Sequence, residues 1–170
     1  MELPLGDKVI RISGRIDRID TGRVAGRTVF NVLDYKTGGS VSFGRDQVIA
    51  GTALQLPLYA LAVAELLLPE REPVAWQAAY WYLSKGGFKS RQALAMHHAV
   101  GEGVEPEEDW QEMQELLPRT VAALVDGIRK AEFPVYNANE KCTSYCPFST
   151  ICRINHIRSL EKTWQAVEPS

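Results

Sequence analysis

Cysteine is scarce in this chain of 170 residues: there are three, all between positions 142 and 152. An odd number at such tight spacing fits a disulfide framework poorly and fits a metal or cluster site in a reducing cytoplasm better. Long apolar runs are lacking too. The best candidate, Leu58 to Pro69, is far short of the ~18 apolar residues of a membrane span and contains Glu65, so no membrane partner is expected. The N-terminus has no basic-then-apolar pattern, so no secretory signal is expected there. Nothing is repeated or low in complexity. A net charge of −2 offers no global field for nucleic acid.

What is present points to one ordinary domain, with 45% hydrophobic content to build its core. The charge is unevenly spread, at +2 over residues 1–50, −5 over 51–132 and +1 over 133–170. Arg11, Arg15, Arg18, Arg23 and Arg27 crowd the first of these. They fit the solvated edge of a hairpin and a phosphate-contacting patch about equally well.

Alternation over residues 8–20 predicts a strand, Thr21 to Arg27 reads as a turn, and residues 28–36 predict a second strand rich in Val and Phe. Together they make a β-hairpin. Residues 47–68 have helical length and period, with Pro57 expected to start, kink or split the helix. Residues 74–84 and 88–100 suggest another strand pair around Lys85-Gly86-Gly87. The acidic stretch 102–115 reads as a solvated loop opening a helix that runs to about residue 131, interrupted or kinked at Pro118. A last helix is expected over about 147–164. Interleaved strands and helices give an α/β or α+β class around a mixed sheet.

Within this frame, Asp34 and Lys36 sit two apart on a strand and face the same side, with Tyr35 facing away. A lone Asp-x-Lys arises by chance often enough in a chain this long to decide nothing. The hairpin adds weight. If it folds about Ala25-Gly26, Asp17 lies opposite Asp34, and carboxylates about 5 Å apart repel unless a positive charge sits between them. Mg²⁺ suits such a gap, because it takes hard oxygen ligands and keeps waters that a phosphate can replace. Lys36 would then orient or deprotonate the attacking water and steady the developing charge. The plainer alternative is that both acids end strands in solvent and pair with Arg15, Arg18 or Lys36.

Three blocks in order carry a resemblance: GRIDRID at 14–20, VLDYKTG at 32–38 and QLPLYALA at 55–62. They resemble the Gly-x-x-Asp-Arg, Asp-Tyr-Lys-x-Gly and Gln-x-x-x-Tyr pattern of the RecB-like branch of the PD-(D/E)xK nuclease superfamily. That branch includes the nuclease domains of the RecB and AddB helicase-nucleases. The resemblance implies an α/β, restriction-endonuclease-like mixed β-sheet flanked by helices, with a C-terminal cysteine-containing segment. It makes Asp17, Asp34 and the Tyr35 carbonyl ligands of Mg²⁺ or Mn²⁺, and Lys36 the catalytic lysine. Gln55 and Tyr59, four apart on one helix face, fall near the substrate strand; ordinary helix-surface hydrogen bonding is the alternative for these two. Gly14 and Gly38 serve turns or close backbone approach.

The cysteines, Cys142-x3-Cys146-x5-Cys152, resemble the trailing trio of AddB-like nucleases, which joins one upstream cysteine to hold a 4Fe–4S cluster. The family's first spacing is commonly x2. No fourth cysteine is present, so either the chain is a piece of a longer protein that supplies it, or His156 completes a zinc site four residues after Cys152. The family also carries a histidine on an upstream helix, whereas His97, His98 and His156 all follow the motifs. The excised piece is therefore the favoured expectation, with residues 1–135 as nuclease core lacking its N-terminal helix and 136–170 as cysteine segment and C-terminal helix. His97 and His98 read as a strand-end pair without chemistry. Trp76, Tyr80, Trp81 and Tyr82 would suit base stacking but read first as a sheet packed on helices, with Trp76, Tyr80 and Tyr82 on one face.

The expected function is a metal-dependent DNA nuclease, an exonuclease on single-stranded DNA, working beside a helicase in repair or recombination in the cytoplasm. A non-catalytic DNA-binding scaffold with an iron–sulfur or zinc site is the alternative from another class. A small zinc protein built on Cys142, Cys146, Cys152 and His156 is weaker still, since it leaves the three ordered blocks as coincidence.

Overall fold

In the computed structural model, residues 1–5, 8–37, 43–83, 86–132, 144–152 and 154 are described. Strands β1 (Glu2–Leu5) and β2 (Lys8–Arg11) pair antiparallel as a separate ribbon. The single strand expected over 8–20 is therefore broken, and the chain leaves the sheet between residues 12 and 17. Gly14 lies in that break. A Cβ there would stand 2.9 Å from Tyr59 Cε1, so the backbone passes directly against the tyrosine ring.

The chain re-enters as β3 (Arg18–Val24) and returns as β4 (Arg27–Lys36) through a turn of Ala25 and Gly26 alone, so Thr21 to Val24, expected as turn, extend the strand. Ala25 and Gly26 both take positive φ, 47° and 73°, the two-residue geometry whose twist matches the flanking strands. The resulting register sets Arg18 opposite Leu33 and Val24 opposite Arg27.

From β4 the chain crosses over through α1 (Arg45–Ile49) and α2 (Gln55–Ala62), then a π turn at Val63–Leu67. One helix was expected here. Pro57 falls in the first turn of α2, where an N–H has no intrahelical acceptor, so it starts the helix and does not kink it. The crossover delivers β5 (Val74–Tyr82) parallel to β4, and β6 (Gly87–Ala95) closes the order β3-β4-β5-β6. The sheet is mixed, as expected. Its central strand β4 buries residues of both parities, Val29, Phe30, Val32, Leu33 and Asp34, as a strand covered on two faces does.

The strand expected over 88–100 divides at Met96, which is fully buried. Its N–H donates to Trp76 O at 3.0 Å and its carbonyl accepts from Glu107 N at 2.9 Å. Beyond it β7 (His97–Val100) pairs with β8 (Gly103–Pro106), a strand that the reading of 102–115 as loop and helix start had missed. Helix α3 (Glu108–Arg129) then runs unbroken past Pro118. Met113, Leu117 and Val121 bury one continuous stripe across the proline. That packing outweighs the ~3 kcal/mol cost of a proline inside a helix. Of the final helix expected over about 147–164, α4 (Ser149–Cys152) and Ile154 are described, and the rest lies outside the described residues.

The core gathers Phe30, Val32, Leu56, Ala60, Val63, Tyr80, Tyr82, Trp110, Met113 and Leu117 between the sheet and the helices. Tyr80 and Tyr82 belong to it as expected, but Trp76 does not. A register shift between Phe30 and Asn31 makes Trp76 the extra residue of a bulge, out of phase with Tyr80.

Trp110 is 1% exposed, and its Nε1 has no hydrogen-bond partner among the described residues. Trp110→Ala is expected to cost about 3–5 kcal/mol in urea unfolding. Trp110→Phe is expected to cost much less, because the donor it removes satisfies nothing. The half-buried His97 gives a second test. Its Nδ1–H donates to Ala75 O at 2.7 Å, and burial lowers its pKa below the usual value despite that bond. The unfolded chain thus binds the proton more readily, so this contribution is complete above pH ~6.5 and lost as pH falls below it. Urea midpoints between pH 7.5 and 5.5 should fall more steeply for the native chain than for His97→Asn.

Candidate active site

Asp34, Tyr35 and Lys36 are the last three residues of β4. Alternation turns Asp34 and Lys36 toward α2, and Asp34 is only 4% exposed. A carboxylate at that depth needs donors. Gln55, the first residue of α2, donates from Nε2 to Asp34 Oδ1 at 3.0 Å and accepts on Oε1 from Lys36 Nζ at 3.3 Å. Lys36 Nζ also lies 2.6 Å from Asp34 Oδ2. That second contact is an ion pair without hydrogen-bond alignment, so Oδ2 has no hydrogen-bond donor among the described residues.

Gln55 is itself held one turn along α2, with Nε2 3.2 Å from the Tyr59 hydroxyl. The Tyr59 ring rests against Gly14. Residues of all three sequence blocks therefore meet at one place, and only glycine at position 14 lets them do so.

Asp17 stands in a bend just before β3, one residue beyond the Arg18–Leu33 pair that ends the ladder. It is exposed, and its Oδ2 accepts the Tyr35 N–H at 2.9 Å. Both acids thus lie near the end of β4, Asp34 buried and Asp17 in solvent. Among the described residues no three His, Cys, Asp or Glu side chains form a metal-sized cluster. A cation here would therefore have two carboxylates, backbone oxygen and water as ligands, a hard and partly hydrated set that suits Mg²⁺ or Mn²⁺. The Asp34 oxygen that lacks an aligned donor is consistent with such a ligand.

Sequence reasoning had left Tyr80 as core alone. It is core, but it also lies directly under the site. Lys36 Nζ sits 4.9 Å from its ring centroid, and Phe43 packs edge-on at 5.3 Å. Burial first, and the Asp34 charge second, push its pKa up to about 12. The ring stays neutral and presents a π face to the ammonium. No local pattern marked it, because its pairing with Asp34 arises only when β5 docks parallel to β4.

On the opposite face of β4, the Tyr35 ring meets Trp81 edge-on at 6.3 Å. Arg18 stacks over Trp81 at 5.5 Å while bonding Asp20 at 2.8 Å. Asp20 first, then Tyr35, raise the Arg18 pKa further.

The cysteine trio is only partly described. Cys146 is half-buried and Cys152 exposed at the end of α4, both as free thiols. Cys142 and His156 lie outside the described residues, as does Gly38.

Comparison with known proteins agrees with the order of the blocks. The family model of the PD-(D/E)XK nuclease superfamily matches residues 1–153. Three curated relatives are each named as part of an ATP-dependent helicase/deoxyribonuclease. The protein from Carboxydothermus hydrogenoformans is 44% identical over 54 residues, 32% of this chain and 5% of its own length. That from Moorella thermoacetica is 45% identical over 62 residues, 35% of this chain and 5% of its own. The Lachnoclostridium phytofermentans protein is 39% identical over 61 residues, 36% of this chain and 5% of its own. The chain thus aligns with about one-twentieth of each relative. No solved structure matches it.

Replacing Gln55 tests the polar cluster without reference to catalysis. Gln55→Leu is expected to leave Asp34 Oδ1 buried without a donor, at a cost of about 1–3 kcal/mol in urea unfolding. Tyr59→Phe, which removes one half-buried hydroxyl, should cost about 1 kcal/mol.

Proposed function

The chain belongs to the PD-(D/E)XK nuclease superfamily, and from that premise we propose that it is the nuclease domain of a DNA repair or recombination helicase-nuclease. Its substrate is single-stranded DNA, cut as an exonuclease with Mg²⁺ or Mn²⁺. The observation that carries the proposal is the convergence of Asp34, Lys36, Gln55 and Tyr59 in one hydrogen-bonded cluster beside Asp17. Residues 1–135 form the nuclease core, and 136–170 the cysteine segment. A helicase domain or subunit feeds it in the cytoplasm, a reading supported by the names of the relatives.

Asp17, Asp34 and the Tyr35 carbonyl are the ligands proposed for the divalent cation. When bound, that cation supplies positive charge at the scissile phosphate and lowers the pKa of water. Lys36 is the lysine of the reaction. Held by Gln55 Oε1 and Asp34, its ammonium keeps a third donor for the attacking water or for the negative charge that develops on phosphorus oxygens. Gln55 orients Lys36 and Asp34 together, and Tyr59 orients Gln55. Cys142, Cys146 and Cys152 provide three thiolates for a 4Fe–4S cluster, the fourth coming from outside these residues; a Cys₃His zinc site with His156 is the lesser alternative.

A second reading has one observation in its favour. No group of three His, Cys, Asp or Glu side chains that could hold a metal forms among the described residues, which suits a non-catalytic DNA-binding scaffold that keeps the fold.

Degradation of end-labelled single-stranded DNA with Mg²⁺ or Mn²⁺ separates the two. The native chain should shorten the strand, and Lys36→Ala should slow cutting by about 10²–10³-fold. Because Lys36 is the counter-ion of a buried acid, thermal unfolding of the variant belongs beside the assay. A folded Lys36→Ala that cuts at the native rate would sink the assignment. A native chain that binds metal and DNA but never cuts would favour the scaffold.

A further inference from the structure

Five arginines crowd the first 27 residues, and the fold separates them by what they already hold. Arg11 Nε lies 3.4 Å from Glu2 Oε1. Arg18 bonds Asp20 and stacks on Trp81. Arg23 donates to Gly26 O at 3.2 Å and Arg27 to Glu72 O at 3.5 Å. Arg15 differs. It is exposed, and no acid, carbonyl or ring engages it among the described residues.

Its place is closely bounded. Gly14, on one side, is pinned by the Tyr59 ring, and Asp17, two residues on, is tied to the Tyr35 N–H. The Arg15 Cα therefore lies about 3.8 Å from a backbone atom against Tyr59 and within about 7 Å of the Asp17 Cα. A three-methylene stem lets its guanidinium reach beyond either point. The segment that carries it has left the sheet, so its backbone is not committed to a β ladder.

Electrostatics give that position a task. Asp17, Asp34 and Lys36 sum to −1, and Arg18 with Asp20 adds nothing. With the proposed divalent cation the sum becomes +1, which a strand's successive phosphates still outweigh. A cation that no group among the described residues engages, two positions from Asp17, can add attraction for a neighbouring phosphate. Guanidinium is the suitable group, because its planar fork matches two phosphate oxygens at once.

We propose that Arg15 is a substrate-binding residue that grips a backbone phosphate of single-stranded DNA at the mouth of the site. This rests on the nuclease reading and adds a contact that the metal ligands and Lys36 do not make. The contact is to phosphate, so it is blind to base sequence and sensitive to salt. It acts on binding and leaves the chemical step to Lys36.

The test is fluorescence anisotropy with a labelled oligothymidylate, Ca²⁺ replacing Mg²⁺ to limit cutting, over 25–200 mM salt. Native chain, Arg15→Gln, Arg15→Lys and Arg11→Gln are compared, each checked for folding by thermal unfolding. Arg15→Gln should weaken binding about tenfold. Its plot of log affinity against log salt should be shallower by about 0.7, the value for one phosphate on a single strand. Arg15→Lys should recover part of the affinity, and Arg11→Gln should match the native chain. With Mg²⁺, the Arg15→Gln loss should fall on KM with kcat little changed. Native affinity and salt slope in Arg15→Gln would overturn the proposal while leaving the nuclease reading intact. A native chain that binds no DNA would remove both.

Discussion

A carboxylate taken out of water must be given donors or a counter-charge, and Asp34 is the point where this chain meets that requirement. It sits near the end of the central strand, almost fully buried, against the first turn of α2. Gln55 and Lys36 answer it, and each constrains something else. Gln55 sets where α2 begins against the sheet. Lys36 must extend over Tyr80 to reach both the acid and the amide. Tyr59 must turn toward Gln55, which requires bare backbone at Gly14, and that in turn breaks the first strand. Strand, crossover helix and irregular segment are thus positioned by one buried charge.

The central strand carries two different chemistries on its two faces. Toward α2 it presents the acid and the lysine among aromatic and aliphatic core residues. Away from α2 it presents Tyr35 beside Trp81 and Arg18. The period of two separates these functions without any change of element. It also makes the site sensitive to register, since a one-residue slip of β4 would exchange the acid for the tyrosine. The type of turn at Ala25-Gly26 and the parallel ladder to β5 both hold that register.

The polar groups of the site largely satisfy one another. Lys36 is engaged by Asp34 and Gln55, while Asp17 lies in solvent with one backbone donor. Asp34 Oδ2 has the Lys36 ammonium beside it but no aligned donor, and Asp17 has the Tyr35 N–H alone, among the described residues.

Much of this was legible in the sequence, and for a local reason. Alternation and a two-residue turn are set by neighbours along the chain, so the hairpin and its register about Ala25-Gly26 could be read directly. The order of the three short blocks likewise pointed to the family. Where long-range packing opposed local preference, the sequence reading erred. Pro118 looked like an interruption until the stripe formed by Met113, Leu117 and Val121 carried α3 through it. Residues 88–100 alternate throughout, yet burial of Met96 splits them into two strands. The sequence by itself determined which residues could form the site and on which elements they lie, since both follow from residue chemistry and short-range periodicity. Only the tertiary structure decided that Gly14 must yield to the Tyr59 ring, that Tyr80 supports Lys36, and that Arg15 alone of the five arginines stands without a partner among the described residues. Those facts depend on contacts between segments far apart in the chain, which no local pattern encodes.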